Sequence, residues 1–276
     1  MKQITISLKE HYPFLQGGTL EGLTMSNPWD NGSEYKRPAL IVVPGGAYYM
    51  TSRREGAPIA SAFYAQGFQV FVLWYMTAPD GVRYPEQLLE LSSAVDYVKK
   101  HADELSVNKD EVFAVGFSAG GHLTANLAVD YQSASALAGA PLDAKPTAVG
   151  LCYPVISDAY GHVGSFEYLL QNYSGEEKQA LMKRVRLDKL VTKKTAPSFI
   201  WTTTTDQVVP AENSLRFALA LAKKGVSYEL HVYPEGVHGL STGRFDVNSE
   251  VPEQQKISRW TRDCASYFRR FTKEKY

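Results

Sequence analysis

The chain lacks most of what would set it apart from an ordinary globular protein. Cysteine occurs only twice in 276 residues, at Cys152 in an apolar segment and at Cys264 on an expected helix. A disulfide-stapled scaffold is thereby excluded, and two buried free thiols suit a reducing compartment. No stretch approaches the ~20 apolar residues that a spanning helix needs. The opening Met1–Glu10 has no apolar run of signal-peptide length. A soluble, cytoplasmic protein with no membrane partner is expected. Charge excess is also missing, with 29 Lys and Arg against 29 Asp and Glu, so no nucleic-acid partner is expected either. The six histidines and two cysteines show no metal-type spacing, and neither a metal nor another cofactor is expected. There is no internal repeat, low-complexity tract or dividing linker, which leaves one domain over residues 1–276.

What is present is an apolar fraction of 44%, enough for a normal core, distributed in a regular rhythm. Residues 3–8 alternate as an edge strand, and 19–26 read as a second strand of the same ribbon. A polar turn follows at Asn27–Arg37. Ala39–Val43, Gln69–Leu73, Glu111–Val115, Ala148–Tyr153 and Ser198–Thr203 are short apolar runs of the kind found in strands covered on both faces, and Ser227–Tyr233 alternates as a last strand. Between them come helices at Ala57–Gln66, Pro85–His101, Ala119–Tyr131, Ala211–Lys224 and about Lys256–Thr272. The spacing places Leu88, Leu91, Val95 and Val98 on one buried face, then Leu215, Ala218 or Phe217, Leu219 and Ala222, and lastly Ile257, Trp260, Cys264, Phe268 and Phe271. Asn108–Asp110 reads as a turn and Gln132–Pro146 as an Ala-, Ser- and Gly-rich connection. Residues 155–195 break the rhythm, with short helices at Ser165–Asn172 and Glu176–Val185, and read as a small cap insertion. Strands alternating with helices define an α/β fold with a mostly parallel sheet and helices on both faces.

The chemistry gathers where such a sheet places it, at the carboxyl ends of the strands. Gly116-Phe117-Ser118-Ala119-Gly120 holds the pattern G-x-S-x-G between a strand and a helix, the setting of a nucleophile elbow. Pro44-Gly45-Gly46-Ala47 follows a buried strand and reads as an oxyanion loop, with backbone N–H groups of Gly46, Ala47 and Ala119 as donors. Asp206 follows the strand at 198–203, and His238 sits among glycines after the last strand. A serine hydroxyl needs a base to become a nucleophile. Histidine, with an ordinary pKa near neutrality, takes and returns that proton, and an acid fixes its tautomer. Asp158 is the alternative acid, but Val208-Val209-Pro210 leads from Asp206 straight into a helix. His231 reads as structural, and His11, His101 and His162 have no supporting context. Tyr48, Tyr49, Trp74, Tyr75 and Trp201 fall near the expected mouth, where they read either as ordinary core and rim aromatics or as a platform for a sugar or an acyl group. His122, in the first turn of the elbow helix, is a further candidate for substrate contact.

Pro44–Tyr48, Gly116–His122, Thr205–Pro210 and Pro234–Gly239 together resemble the bacterial esterase/lipase branch of the α/β-hydrolases, which includes hormone-sensitive-lipase-like esterases and carbohydrate acetyl esterases. The resemblance covers about residues 38–272. It implies an α/β-hydrolase fold and serine carboxylesterase activity on a small-molecule ester, an acetylated sugar foremost, through an acyl-enzyme on Ser118. Pro44 stands where that branch has histidine, which points toward the small esterases of acetylated sugars. A peptidase or amidase of the same fold is the second reading, and a catalytically silent ligand-binding member is the third. A homodimer stays open.

Overall fold

The computed structural model describes residues 2–27, 30–31, 34–248 and 255–273. In chain order the elements are β1 (Lys2–Ser7), α1 (Leu8–His11), β2 (Thr19–Thr24), β3 (Arg37–Val43), α2 (Ala57–Tyr64), β4 (Gln69–Trp74) and α3 (Glu86–Lys100). Then come β5 (Val107–Phe117), α4 (Ser118–Asp130), α5 (Ala134–Ala138), β6 (Val149–Cys152), α6 (Gly164–Leu169) and α7 (Gly175–Val185). The chain continues through β7 (Ser198–Thr203), α8 (Glu212–Lys224), β8 (Tyr228–Tyr233), α9 (Gln255–Ser258) and α10 (Trp260–Arg269). Part of the turn expected at Asn27–Arg37 lies outside the described residues.

The eight strands form one sheet in the order β1-β2-β4-β3-β5-β6-β7-β8. The β1/β2 and β2/β4 pairs are antiparallel, and every pair from β4 across to β8 is parallel. The continuous apolar runs have a simple cause. In β3, Ala39, Ile41 and Val43 enter the core beneath α3 and α4, while Leu40 and Val42 enter a second core with Ile59, Phe63, Trp260 and Phe268 of α2 and α10. A strand that serves two cores cannot alternate polar with apolar.

Several expectations need correcting. Asn108–Asp110 is not a separate turn but part of β5. Pairing steps from Arg37↔Val107 to Ala39↔Val112, so the polar triplet bulges out while the ladder resumes beyond it. Helix α3 is buried nearly all round rather than on one face, from Glu86 to Val98. Two of its buried acids are partnered, Glu86 by the Gln16 N–H and Asp96 by the Tyr12 hydroxyl and the Asp143 N–H.

In α8 the buried face is Asn213, Ser214, Phe217, Ala218 and Leu221, while Leu215 and Leu219 are exposed. Asn213 sets that rotation. Its Oδ1 accepts from the N–H groups of Ile156 and Ser157, and its Nδ2 donates to the carbonyls of Tyr160 and Pro210. A buried amide with so many bonds outweighs two leucines. The 132–146 connection contains α5, and the last helix is broken at Arg259 with Phe271 only partly buried. Both cysteines are buried and free. No described helix is long and apolar enough to cross a membrane.

Candidate active site

Strand β5 ends at Phe117, and the chain turns at once into α4 with Ser118 at φ 52°. That left-handed value is costly for a residue with a side chain. It is held by close packing of the elbow. A Cβ on Gly116 would meet the Gly120 carbonyl oxygen at 2.2 Å, and one on Gly120 would meet the carbonyl oxygens of Val43 and Pro44 at 2.2 and 2.3 Å. Six non-glycine residues have positive φ among those described: Ala47, Tyr48, Ser106, Ser118, Tyr153 and Ser241. All but Ser106 belong to the site or its supports, the clustering expected where strain serves function.

Ser118 Oγ lies 2.8 Å from His238 Nε2, and His238 Nδ1 lies 2.7 Å from Asp206 Oδ2. The other Asp206 oxygen accepts from the N–H groups of Val208 and Val209, which locks the carboxylate. Asp158, the alternative acid, is instead held in a bidentate pair with Arg186 at 2.6 and 2.7 Å. That guanidinium holds the Asp158 carboxyl below the usual carboxylate range. The geometry therefore brings Ser118, His238 and Asp206 together and leaves Asp158 out.

The glycine loop is pinned through its carbonyls. Pro44 O accepts from the Tyr75 hydroxyl at 2.9 Å, Gly45 O from the Ser52 N–H, and Gly46 O from the N–H groups of Tyr49 and Met50. Among the described residues none accepts from the N–H groups of Gly46 and Ala47. The Ala119 N–H, in the first turn of α4, has no intrahelical partner.

Of the aromatic candidates, Tyr48 and Tyr75 are buried, as is His122. Tyr48 donates its hydroxyl to His122 Nδ1 at 2.7 Å, and His122 Nε2 donates to the Val185 carbonyl at 2.8 Å. These groups lie beneath the mouth and tie the loop to the segment between β6 and β7. Burial drops the His122 pKa to about 4, against the smaller effect of its bond to Val185. Trp74 ends β4 beside Gly56, and Trp201 is buried in the core, stacked on Trp260 at 5.6 Å. Tyr49 is exposed and pairs with exposed Tyr168, ring centroids 5.0 Å apart.

Sequence reasoning missed three groups here. Glu55 lies in the charged stretch Arg53-Arg54-Glu55-Gly56, to which the sequence assigned no role, and it is 4% exposed. Its Oε2 accepts from the Gly45 N–H at 2.8 Å and its Oε1 from the Tyr153 hydroxyl at 2.7 Å. Tyr153 in turn accepts from the Ser241 N–H at 2.9 Å and sets its ring edge-on to His238, centroids 5.1 Å apart. His162 sits near His238, and burial first and that neighbour second hold its imidazole below the usual value. No sequence pattern marks any of the three. Among the described residues no group of three or more His, Cys, Asp or Glu converges as a metal site would.

This architecture, with a serine elbow and strand-end loops, is that of an α/β-hydrolase of the esterase/lipase type. Residues 28–221 match the BD-FAE family, and the chain belongs to that family. Over 217 residues, 76% of this chain and 34% of the relative, it is 36% identical to endo-1,4-beta-xylanase B of Butyrivibrio fibrisolvens. Over 209 residues, 74% of this chain and 41% of the relative, it is 27% identical to an acetylxylan esterase of Xylanibacter ruminicola. The chain thus spans well under half the length of these relatives. Among solved structures, an acetyl ester-xyloside bifunctional hydrolase of Caldicellulosiruptor lactoaceticus superposes with a TM-score of 0.79 at 29% identity, covering 96% of this chain and 95% of the other.

Proposed function

We propose that the protein is a serine carboxylesterase that removes small acyl groups, acetyl foremost, from carbohydrate esters. The observation that carries this reading is the position of His238, one ring nitrogen on Ser118 and the other on Asp206. In the proposed reaction His238 takes the Ser118 proton as Oγ adds to the ester carbonyl. The oxyanion is met by the N–H groups of Gly46, Ala47 and Ala119. The imidazolium then protonates the departing alcohol, and the acyl group stays on Ser118. Water, activated by the same histidine, releases the acid and restores the serine.

The acyl size is argued from the acetyl esters that two of the relatives are named for. The alcohol side is argued from the exposed Tyr49 and Tyr168 pair, whose ring faces can take a sugar. The names of the xylan-directed relatives support the same substrate class. The test is a p-nitrophenyl ester series from acetate to decanoate, run beside acetylated xylo-oligosaccharides and an aminoacyl anilide. Turnover falling steeply beyond butyrate, with acetate released from the oligosaccharides, is expected. Anilide cleavage outpacing every ester would replace the reading with a peptidase.

A further inference from the structure

We infer that Glu55 is a positioning residue that holds both the oxyanion loop and His238, acting through Gly45 and Tyr153; this rests on the ester-hydrolase reading of Ser118. Glu55 closes a short 3₁₀ turn, Arg53–Glu55, and is buried. Among the described residues it forms no ion pair, and Arg54 and His238 act on it only as more distant charges. An unpaired buried carboxylate costs several kcal/mol, so a side chain that served packing alone would better be apolar.

The bonds that offset this cost all lead to the site. Gly45 N–H donates to one oxygen, and Gly45 immediately precedes the Gly46 donor. The loop runs close to the elbow here, since a Cβ on Gly45 would meet the Ser118 Cβ at 3.0 Å and the Phe117 carbonyl oxygen at 2.7 Å. Tyr153 donates to the other oxygen. Its own oxygen already takes the Ser241 N–H, so its proton is committed to Glu55. Both carboxyl oxygens therefore accept, which is the pattern an ionised carboxylate serves. Tyr153 and Ser241 stand at φ 37° and 53°, and the hydroxyl between them holds those two unfavourable backbones in place. The Tyr153 ring packs edge-on to His238. A single buried side chain thus sets where the oxyanion donors lie and where the base lies.

The test compares Glu55→Leu, Glu55→Gln and Tyr153→Phe with the native chain on p-nitrophenyl acetate, with Ser118→Ala as reference and thermal melts alongside. Losing an oxyanion donor costs about 10²-fold or more in kcat, so Glu55→Leu is expected to lower kcat on that order with KM within about threefold. Glu55→Gln keeps an acceptor for the Gly45 N–H but turns an amide N–H toward the Tyr153 hydroxyl, whose proton then loses its acceptor, and recovers only part of that loss. Tyr153→Phe keeps the ring but cuts the link to Ser241, and lowers kcat several-fold. If Glu55→Leu does not fold, Glu55→Gln and Tyr153→Phe decide. Variants that melt earlier but keep native kcat would make the role structural only and overturn the inference. Turnover surviving Ser118→Ala would overturn the ester-hydrolase reading instead, whatever Glu55 does.

Discussion

His238 Nε2 lies 2.8 Å from Ser118 Oγ across a separation of 120 residues. The parallel pairing of β7 with β8, from Ser198↔Tyr228 to Thr203↔Tyr233, brings the Asp206 and His238 loops side by side. The loops are then stitched to each other. Thr203 and Thr205 both donate to the Gly236 carbonyl, and the Gly236 N–H donates to Thr205 Oγ1. His238 is thus aimed from one edge of the sheet at Ser118 in its centre.

Asp206→Asn is expected to fold and to lose about 10³–10⁴ in kcat. The asparagine oxygen can still accept from Val208 and Val209. Its amide would then face His238 Nδ1 and force the proton onto Nε2, where it cannot receive the Ser118 proton. Steady-state kinetics with an unchanged melting temperature checks this, and near-native kcat would contradict it.

Gly120→Ala is expected to destabilise by more than about 3 kcal/mol or to prevent folding. The added Cβ would stand 2.2–2.3 Å from two backbone carbonyl oxygens at the end of β3, and backbone cannot give way as a side-chain tip can. Denaturant unfolding, or recovery of soluble protein, reads the outcome. A loss below about 1 kcal/mol would contradict it.

Much of this was legible from residue order alone. The strands could be read because runs such as Ala39–Val43 feed two cores at once, and Ser118, Asp206 and His238 stood out because each follows a strand, the first two a buried run and His238 the alternating last one. The α8 face was misread because periodicity weighs leucines, whereas Asn213 is held inward by bonds to chain some 50 residues away. Glu55 was invisible for a similar reason. Its burial is decided by Gly45, Tyr153 and the closure of β6 against the glycine loop, none of which a local charge run reveals.

His122 gives a pH dependence of stability. Its folded pKa is about 4 and its ordinary value 6.5. Between those values the unfolded chain binds a proton that the folded one refuses. Stability from this group is therefore full above pH 6.5 and is lost as pH falls toward 4, by about 3 kcal/mol in all. His122→Gln should be less stable than the native chain at pH 7, since it disturbs the bonds to Tyr48 and Val185. Its urea midpoint should fall less between pH 6.5 and 4.5. Equal slopes for the two proteins would refute the assignment.

Tyr49→Ala and Tyr168→Ala should raise KM for acetylated xylo-oligosaccharides about 3- to 10-fold, the worth of one aromatic contact. Both rings are exposed, so folding should be unaffected and p-nitrophenyl acetate turnover nearly unchanged. An equal effect on both substrates would place the pair outside the alcohol side of the site.

The most direct test of the account is Ser118→Ala assayed on p-nitrophenyl acetate and on acetylated xylo-oligosaccharides. The loss of the nucleophile should remove essentially all turnover, about 10⁵–10⁶-fold in kcat, with native folding retained because, among the described residues, the Ser118 side chain bonds only to His238. Ester hydrolysis persisting within tenfold of the native rate would contradict it.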